Sequence, residues 1–221
     1  MTDQMDEIIH EIIPLLRQAV TRFTSPIVTE ISQNTLDPFQ ILISTLLSLR
    51  TKDEVTREAS RRLFQVAKNP RDILCMTQQE LEILIYPVGF YRTKAKRIRD
   101  ICRELVEKHN GQVPDDLDVL LSLKGVGRKT ANLVLTMAYG KQGICVDTHV
   151  HRISNRIGYV STKTPEETEM VLREKLPIQY WSEYNDLLVT YGQNICKPVS
   201  PFCSKCIIQR FCRKVGVARS R

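Results

Sequence analysis

The stretch L120LSLKGVGRKTANLVL135 sets two glycines one residue apart before Arg128, Lys129 and Thr130. Glycines beside a lysine suggest a loop that cradles a nucleotide's phosphates, and spacing tests that idea. A P-loop needs glycine directly before the lysine of its GK[ST] ending, and here that residue is Arg128. A dinucleotide fingerprint needs a third glycine at 130, where this chain has Thr130, and a strand before it. The preceding DLDVLLSL has a helical pattern instead. Both nucleotide readings fail. What remains is a helix, a tight GVG hairpin and a second helix with Lys129 in its first turn. Gly125 and Gly127 permit positive φ and close approach by another backbone. Amides of Gly125, Val126, Gly127 and Arg128 at a helix start suit one phosphate of a nucleic-acid backbone, without regard to base sequence.

Helix signals surround this hairpin, and strand alternation does not. Asp37-Pro38 with Gln40, Thr77 with Glu80, and Thr164 with Glu167 read as capped helix starts, and Asn69-Pro70 as one more. Phe39, Leu42, Ile43 and Leu46 follow helical apolar spacing. The expected fold class is all-α, with roughly ten helices and short connections. PVGFYRTKAKRI (87–98) loosely echoes the hairpin in its order of turn, glycine, basic residues and helix. No solenoid period or low-complexity tract occurs.

The chain has 221 residues, 42% hydrophobic and 26% charged, enough for one large domain or two small ones. A formal net charge of +7 favours a polyanionic partner, though such a balance is weakly specific. No apolar run is long enough for a membrane span. The acidic start MTDQMDEII predicts no secretory signal.

Seven cysteines are an odd count, and Cys196-x6-Cys203-x2-Cys206-x5-Cys212 gathers four of them. That concentration argues for a thiolate metal site in a reducing compartment rather than a disulfide framework. Zinc and an iron–sulfur cluster are both open on ligand type. A zinc ribbon normally pairs two Cys-x2-Cys knuckles, and a single compact run fits a 4Fe-4S cluster better. The site's expected role is to staple the C-terminal segment. Cys75, Cys102 and Cys145 stand alone in apolar contexts and are expected to pack.

Lys129 has two local readings. A lysine at the positive end of a helix, beside Arg128, should have a lowered pKa and serve as a nucleophile. The simpler role is pairing with phosphate, which local sequence alone favours. The layout of the whole chain shifts that balance. GVGRKTA at 125–131, then VDTHVHR at 146–152, then the cysteine run resemble the endonuclease III family of helix–hairpin–helix DNA glycosylases. LLSLRTKD and GFYRTKAKRI extend the resemblance over nearly the whole chain.

The resemblance implies a bifunctional DNA glycosylase/AP lyase of base excision repair, removing oxidised pyrimidines from double-stranded DNA. It assigns Lys129 as the nucleophile at C1′ and Asp147 as the catalytic aspartate, which could also cap the helix that DTHVHR opens. It implies a six-helix barrel domain at 25–140 and an iron–sulfur domain from 1–24 with 141–221. Lys129 and Asp147 would meet across a cleft holding bent DNA. His149 would line the site or contact the DNA backbone, and His151 would lie at the surface. Cys196, Cys203, Cys206 and Cys212 would hold a 4Fe-4S cluster. The protein would work as a monomer in the cytoplasm, at the nucleoid of a prokaryote. Alternatives are a monofunctional mismatch or uracil glycosylase, or a non-enzymatic hairpin protein.

Two positions depart from the family pattern. Arg50 stands where bacterial members place Gln, and Phe90 where they place Leu. Such residues fill the gap left by a flipped nucleotide. A guanidinium can bond the orphan base and a ring can wedge into a base step. Otherwise Arg50 would be a solvated helix end and Phe90 a core residue. The loop after Cys196 has only Lys197 as a basic residue. Phosphate contacts would come instead from Arg92, Lys94, Lys96, Arg97, Lys124 and Arg128, giving strongly salt-dependent binding.

Overall fold

Side-chain hydrogen bonds cap many of the helix starts in the computed structural model, which describes residues 3–24 and 26–221. Twelve α-helices occur among the described residues, in this order. They are α1 (Asp3–Val20), α2 (Ile27–Asn34), α3 (Pro38–Ser48), α4 (Asp53–Val66), α5 (Pro70–Cys75) and α6 (Gln78–Ile85). There follow α7 (Tyr91–Lys108), α8 (Leu117–Ser122), α9 (Arg128–Tyr139), α10 (Thr148–Ile157), α11 (Pro165–Lys175) and α12 (Trp181–Asn194). Three short 3₁₀ turns at Ile178–Tyr180, Cys203–Lys205 and Gln209–Phe211 complete the set, and no strand occurs among the described residues. The count is close to the rough ten expected, and the helix starts read at Asn69-Pro70 and in DLDVLLSL are α5 and α8, each six residues long.

The capping signals formed in different ways. Thr77 and Glu80 make the reciprocal box, as do Asn69 and Asp72. Asp37 caps α3 by accepting from Phe39 N at 2.9 Å. Gln40 turns its amide to Asp37 Oδ2 at 3.2 Å rather than to the Asp37 N–H, which donates to Thr35 Oγ1. Thr164 accepts from Glu167 N at 3.1 Å, while Glu167 reaches Lys163 N and not the cap residue itself.

Two compact units divide the chain: Ile27–Lys141, and Met1–Pro26 with Gln142–Arg221. The first contains α2–α9, eight helices where six were expected. At its centre is α3, whose residues from Ile41 to Leu47 are buried on every face. A helix apolar all round can only sit inside others, and α3 packs against α2, α4, α7 and α9. Full burial of each Leu or Ile there contributes about 1.5–3 kcal/mol.

The second unit packs α1 and α10 on α12 and α10 on α11. Ile9, Ile12, Ile13 and Leu16 form the buried stripe of α1, joined by Tyr159, Tyr184 and Tyr191. The tyrosine hydroxyls find partners, Tyr184 with Ser154 Oγ at 3.0 Å and Tyr159 with Lys175 O at 3.0 Å. Buried phenols require such partners.

Candidate functional site

The GVG hairpin takes its shape from one turn bond and one steric exclusion. Val126 N donates to Leu123 O at 2.9 Å, and both side chains are buried beneath the turn. Gly125 has a φ of +98°, and a Cβ there would run into Arg97 Cδ. Gly127 differs: its φ is −96°, and a Cβ there would meet no atom within 4 Å. Positive φ, which both glycines permit, is adopted only at Gly125. Gly125 satisfies the chain, while Gly127 leaves an open face at the N-cap of α9. Val126 also drops out as an anion donor, since the turn occupies its N–H. Arg128 and Lys129 stand at the start of α9, both half-buried, and the next residues, Thr130 and Ala131, are buried. Lys124 is exposed.

The loose sequence echo proves geometric. Val88 N donates to Ile85 O at 3.0 Å after α6, as Val126 does after α8, and Val88 is equally buried. Both following helices begin without a side-chain cap bond, at Phe90 and at Gly127. One corner thus offers a bare backbone and the other an aromatic ring.

Phe90 is not a core residue: it is 64% exposed. Its backbone is left-handed at φ 59°, and Arg50 is left-handed at φ 53°. The exposed Arg50 guanidinium sits 5.9 Å from the Phe90 ring centroid, within cation–π range. Lys94 is also corrected, because it is buried and cannot contact phosphate. Its ammonium donates to Leu47 O at 2.7 Å, Leu49 O at 2.5 Å and Thr51 Oγ1 at 3.0 Å. Burial, with Arg97 nearby, pushes the Lys94 pKa down to about 8. Arg92, Lys96 and Arg97 remain exposed on α7, Arg97 with its stem under Gly125.

In the other unit Asp147 caps α10. Its Oδ1 accepts from His149 N at 2.8 Å and Val150 N at 2.9 Å, which fixes the carboxylate. The extended approach Ile144–Val146 is buried, and Asn185 holds Cys145 O at 3.0 Å. His149 packs so closely on Gly192 that a Cβ there would strike its Nδ1. Arg152 reaches His149 Nδ1 at 3.1 Å and Cys196 O at 2.8 Å. One turn on, Arg156 binds Lys197 O and Pro198 O, both at 2.7 Å. His151 is not a surface residue; it is half-buried, with Nδ1 2.7 Å from Thr168 Oγ1. Arg156, Asn185 and Gly192 were missed in the sequence, and Arg152 entered only as the end of the VDTHVHR motif, without a role. Of those missed, only Gly192, a glycine inside a helical pattern, carried a signal.

Beyond residue 196 the chain has little apolar anchorage. Only Pro201 and Ile208 are buried there. All seven cysteines are free, and Cys196, Cys203, Cys206 and Cys212 are half-buried. Among the described residues no group of His, Cys, Asp or Glu is gathered tightly enough to hold a single metal ion. Donors nevertheless point at three of these sulfurs: Tyr191 OH to Cys206 at 3.1 Å, Lys214 N to Cys212 at 3.4 Å, and Arg156 to Cys196 at 3.5 Å. Such donors fit thiolates in a bound cluster. Lys197 lies with Nζ 5.5 Å from the Phe202 ring, which Lys205 and Arg221 also flank. Of the lone cysteines, Cys102 and Cys145 are buried, and burial pushes the Cys102 thiol up to about 12. Cys75 is exposed at the end of α5, contrary to a packing role.

Residues 43–177 match the HhH-GPD superfamily of base excision DNA repair proteins. Endonuclease III of Thermotoga maritima is 48% identical over 212 residues, covering 94% of this chain and 97% of its own. Endonuclease III of Bacillus subtilis is 38% identical, covering 80% and 82%. Among solved structures, a trapped endonuclease III–DNA covalent intermediate matches with a TM-score of 0.77 at 38% identity, over 80% of this chain and 84% of that one. A thermostable thymine-DNA glycosylase shares the fold, with a TM-score of 0.84 at 24% identity over 96% and 97%. Hairpin, capped aspartate and cysteine run thus stand in a chain that belongs to the endonuclease III family of the HhH-GPD superfamily.

Proposed function

We propose that this protein is a bifunctional DNA glycosylase/AP lyase of base excision repair, acting on oxidised pyrimidines in duplex DNA. The observation that carries this is Lys129 in the first turn of α9, directly after a hairpin whose Gly127 face is open. A phosphate held at that face would position the strand, and the neighbouring amine would reach the sugar. Lys129 Nζ attacks C1′ of a flipped nucleotide, the C1′–N bond breaks, and the base leaves with the electron pair and a proton. The amine and C1′ form a Schiff base as the sugar ring opens. Loss of a C2′ proton then expels the 3′ phosphate by β-elimination.

Asp147 supplies the negative charge that favours oxocarbenium character and accepts the lysine proton. Its cap bonds to His149 and Val150 fix one oxygen without consuming the carboxylate. Phosphate contacts come from the hairpin, Arg128, Lys124 and the exposed face of α7, with His149 and Lys197 as further DNA contacts. Arg50 and Phe90 fill the duplex gap.

Cys196, Cys203, Cys206 and Cys212 would hold a 4Fe-4S cluster, which when bound staples the final segment. The scarcity of buried apolar residues there supports a staple, as in other segments too small for their own core. The purified protein should be brown, with iron and sulfide each near ~4 per chain. Stoichiometric zinc would refute the cluster. We further propose that it acts as a monomer in the cytoplasm. Incubation with thymine-glycol duplex tests the activity: a strand bearing a 3′ unsaturated aldehyde supports it, and free base without nicking supports a monofunctional glycosylase.

A further inference from the structure

Two non-glycine residues in left-handed backbone, Arg50 and Phe90, lie on adjoining turns. That conformation is uncommon for side chains of this size and marks strain held by its surroundings. The turns touch: a Cβ on Gly89 would lie 2.5 Å from Arg50 O. Above them the guanidinium flanks a largely exposed ring. A ring 64% exposed on a left-handed residue gains little from burial in its own chain.

Lys94 lies beneath both turns. Two of its bonds, to Leu47 O and Leu49 O, satisfy carbonyls at the C-terminal end of α3, where a cation is favourable. The third, to Thr51 Oγ1, is not needed for a helix cap. Thr51 Oγ1 in turn accepts from Gly89 N at 3.2 Å, so one chain of bonds runs from the turn bearing Arg50 to the turn bearing Phe90. A buried lysine is an expensive way to end a helix, and its lowered pKa reflects that cost.

We propose that Lys94 is a positioning residue that locks the turns bearing Arg50 and Phe90 together through Thr51, so that these two gap-filling side chains enter duplex DNA as one preassembled wedge. This rests on the reading of the protein as a base-flipping glycosylase and names how that site is organised. With the turns locked during folding, little conformational freedom is lost when the wedge enters the base stack. Without the lock the two side chains act independently and less effectively.

The full-length protein is tested on a duplex containing a tetrahydrofuran abasic analogue with 2-aminopurine beside the orphan base. The analogue cannot react, so affinity and fluorescence report distortion alone. Phe90→Ala should weaken binding about tenfold and abolish the fluorescence rise. Lys94→Met should weaken it about fivefold, and Phe90→Ala added to Lys94→Met should cost under about twofold more, the coupling expected of one unit. Thr51→Val, which removes only the bridging oxygen, should reproduce the coupling if Lys94→Met folds poorly. An undiminished Phe90→Ala penalty in both backgrounds, with the fluorescence rise intact, overturns the lock. Nicking of thymine-glycol duplex by wild type is read alongside. Nicking with an additive cycle overturns the lock alone. A wild type that neither nicks nor raises fluorescence overturns both the lock and the glycosylase reading.

Discussion

Arg152 donates to the carbonyl of Cys196 at 2.8 Å from the same helix that Asp147 caps. Through His149 Nδ1 at 3.1 Å the guanidinium also braces the first turn of α10. The helix that carries the aspartate therefore grips the first cysteine of the run. Arg152→Met should leave that carbonyl and its neighbours unpaired, costing about 1–3 kcal/mol. The expected result is a lower melting temperature, less iron per chain and slower strand cleavage together. Iron content and single-turnover rate at wild-type values would contradict the link.

Gly127→Ala and Gly125→Ala separate two roles within one hairpin. Alanine at 125 meets Arg97 and a positive φ, so it should destabilise the fold by about 1–3 kcal/mol. Alanine at 127 finds open space and should leave stability within about 0.5 kcal/mol while weakening DNA binding. Urea melts and salt-dependent binding of both variants check this. Equal loss of stability in the two would refute the division.

Arg50 is a pure donor, whereas glutamine both donates and accepts. A guanidinium favours guanine, with acceptors at O6 and N7, over adenine, whose exocyclic amine donates. Cleavage of one lesion should be faster opposite guanine than adenine, and Arg50→Gln should reduce that ratio by about fivefold or more. An unchanged ratio would show that Arg50 does not read the orphan base.

Lys94 makes stability depend on alkaline pH in a defined direction. Its pKa is about 8 when folded, below the ordinary lysine value of 10.5. Between those values the unfolded chain binds more protons, so this group makes stability rise with pH. The stability of wild type relative to Lys94→Met should climb from pH 8 to 10, by at most about 1.4 kcal/mol per unit. Paired urea melts give the slope, and a falling difference would reverse the assignment.

Much of the all-α fold was legible because capping residues and apolar spacing act locally. Asp37, Asn69 and Thr77 each announce a helix within four residues of themselves. The hairpin, Asp147 and the cysteine run were legible as motifs of fixed spacing. Long-range contacts were hidden. Lys94 reads as one more basic residue on α7 until its three acceptors, more than 40 positions away, are placed around it. Phe90 could be a wedge or a core residue on sequence alone, and its exposure on the turn rules out the core. Arg156 gave no signal and Arg152 only its place in the VDTHVHR motif, since their partners are backbone carbonyls near residue 196.

The central claim is that Lys129 forms a covalent Schiff base with C1′. Borohydride trapping on thymine-glycol duplex tests it directly. The account predicts a stable protein–DNA adduct from wild type, none from Lys129→Ala, and formation slowed about 100-fold or more in Asp147→Asn. An active wild type that traps no adduct, or an adduct retained in Lys129→Ala, would contradict it.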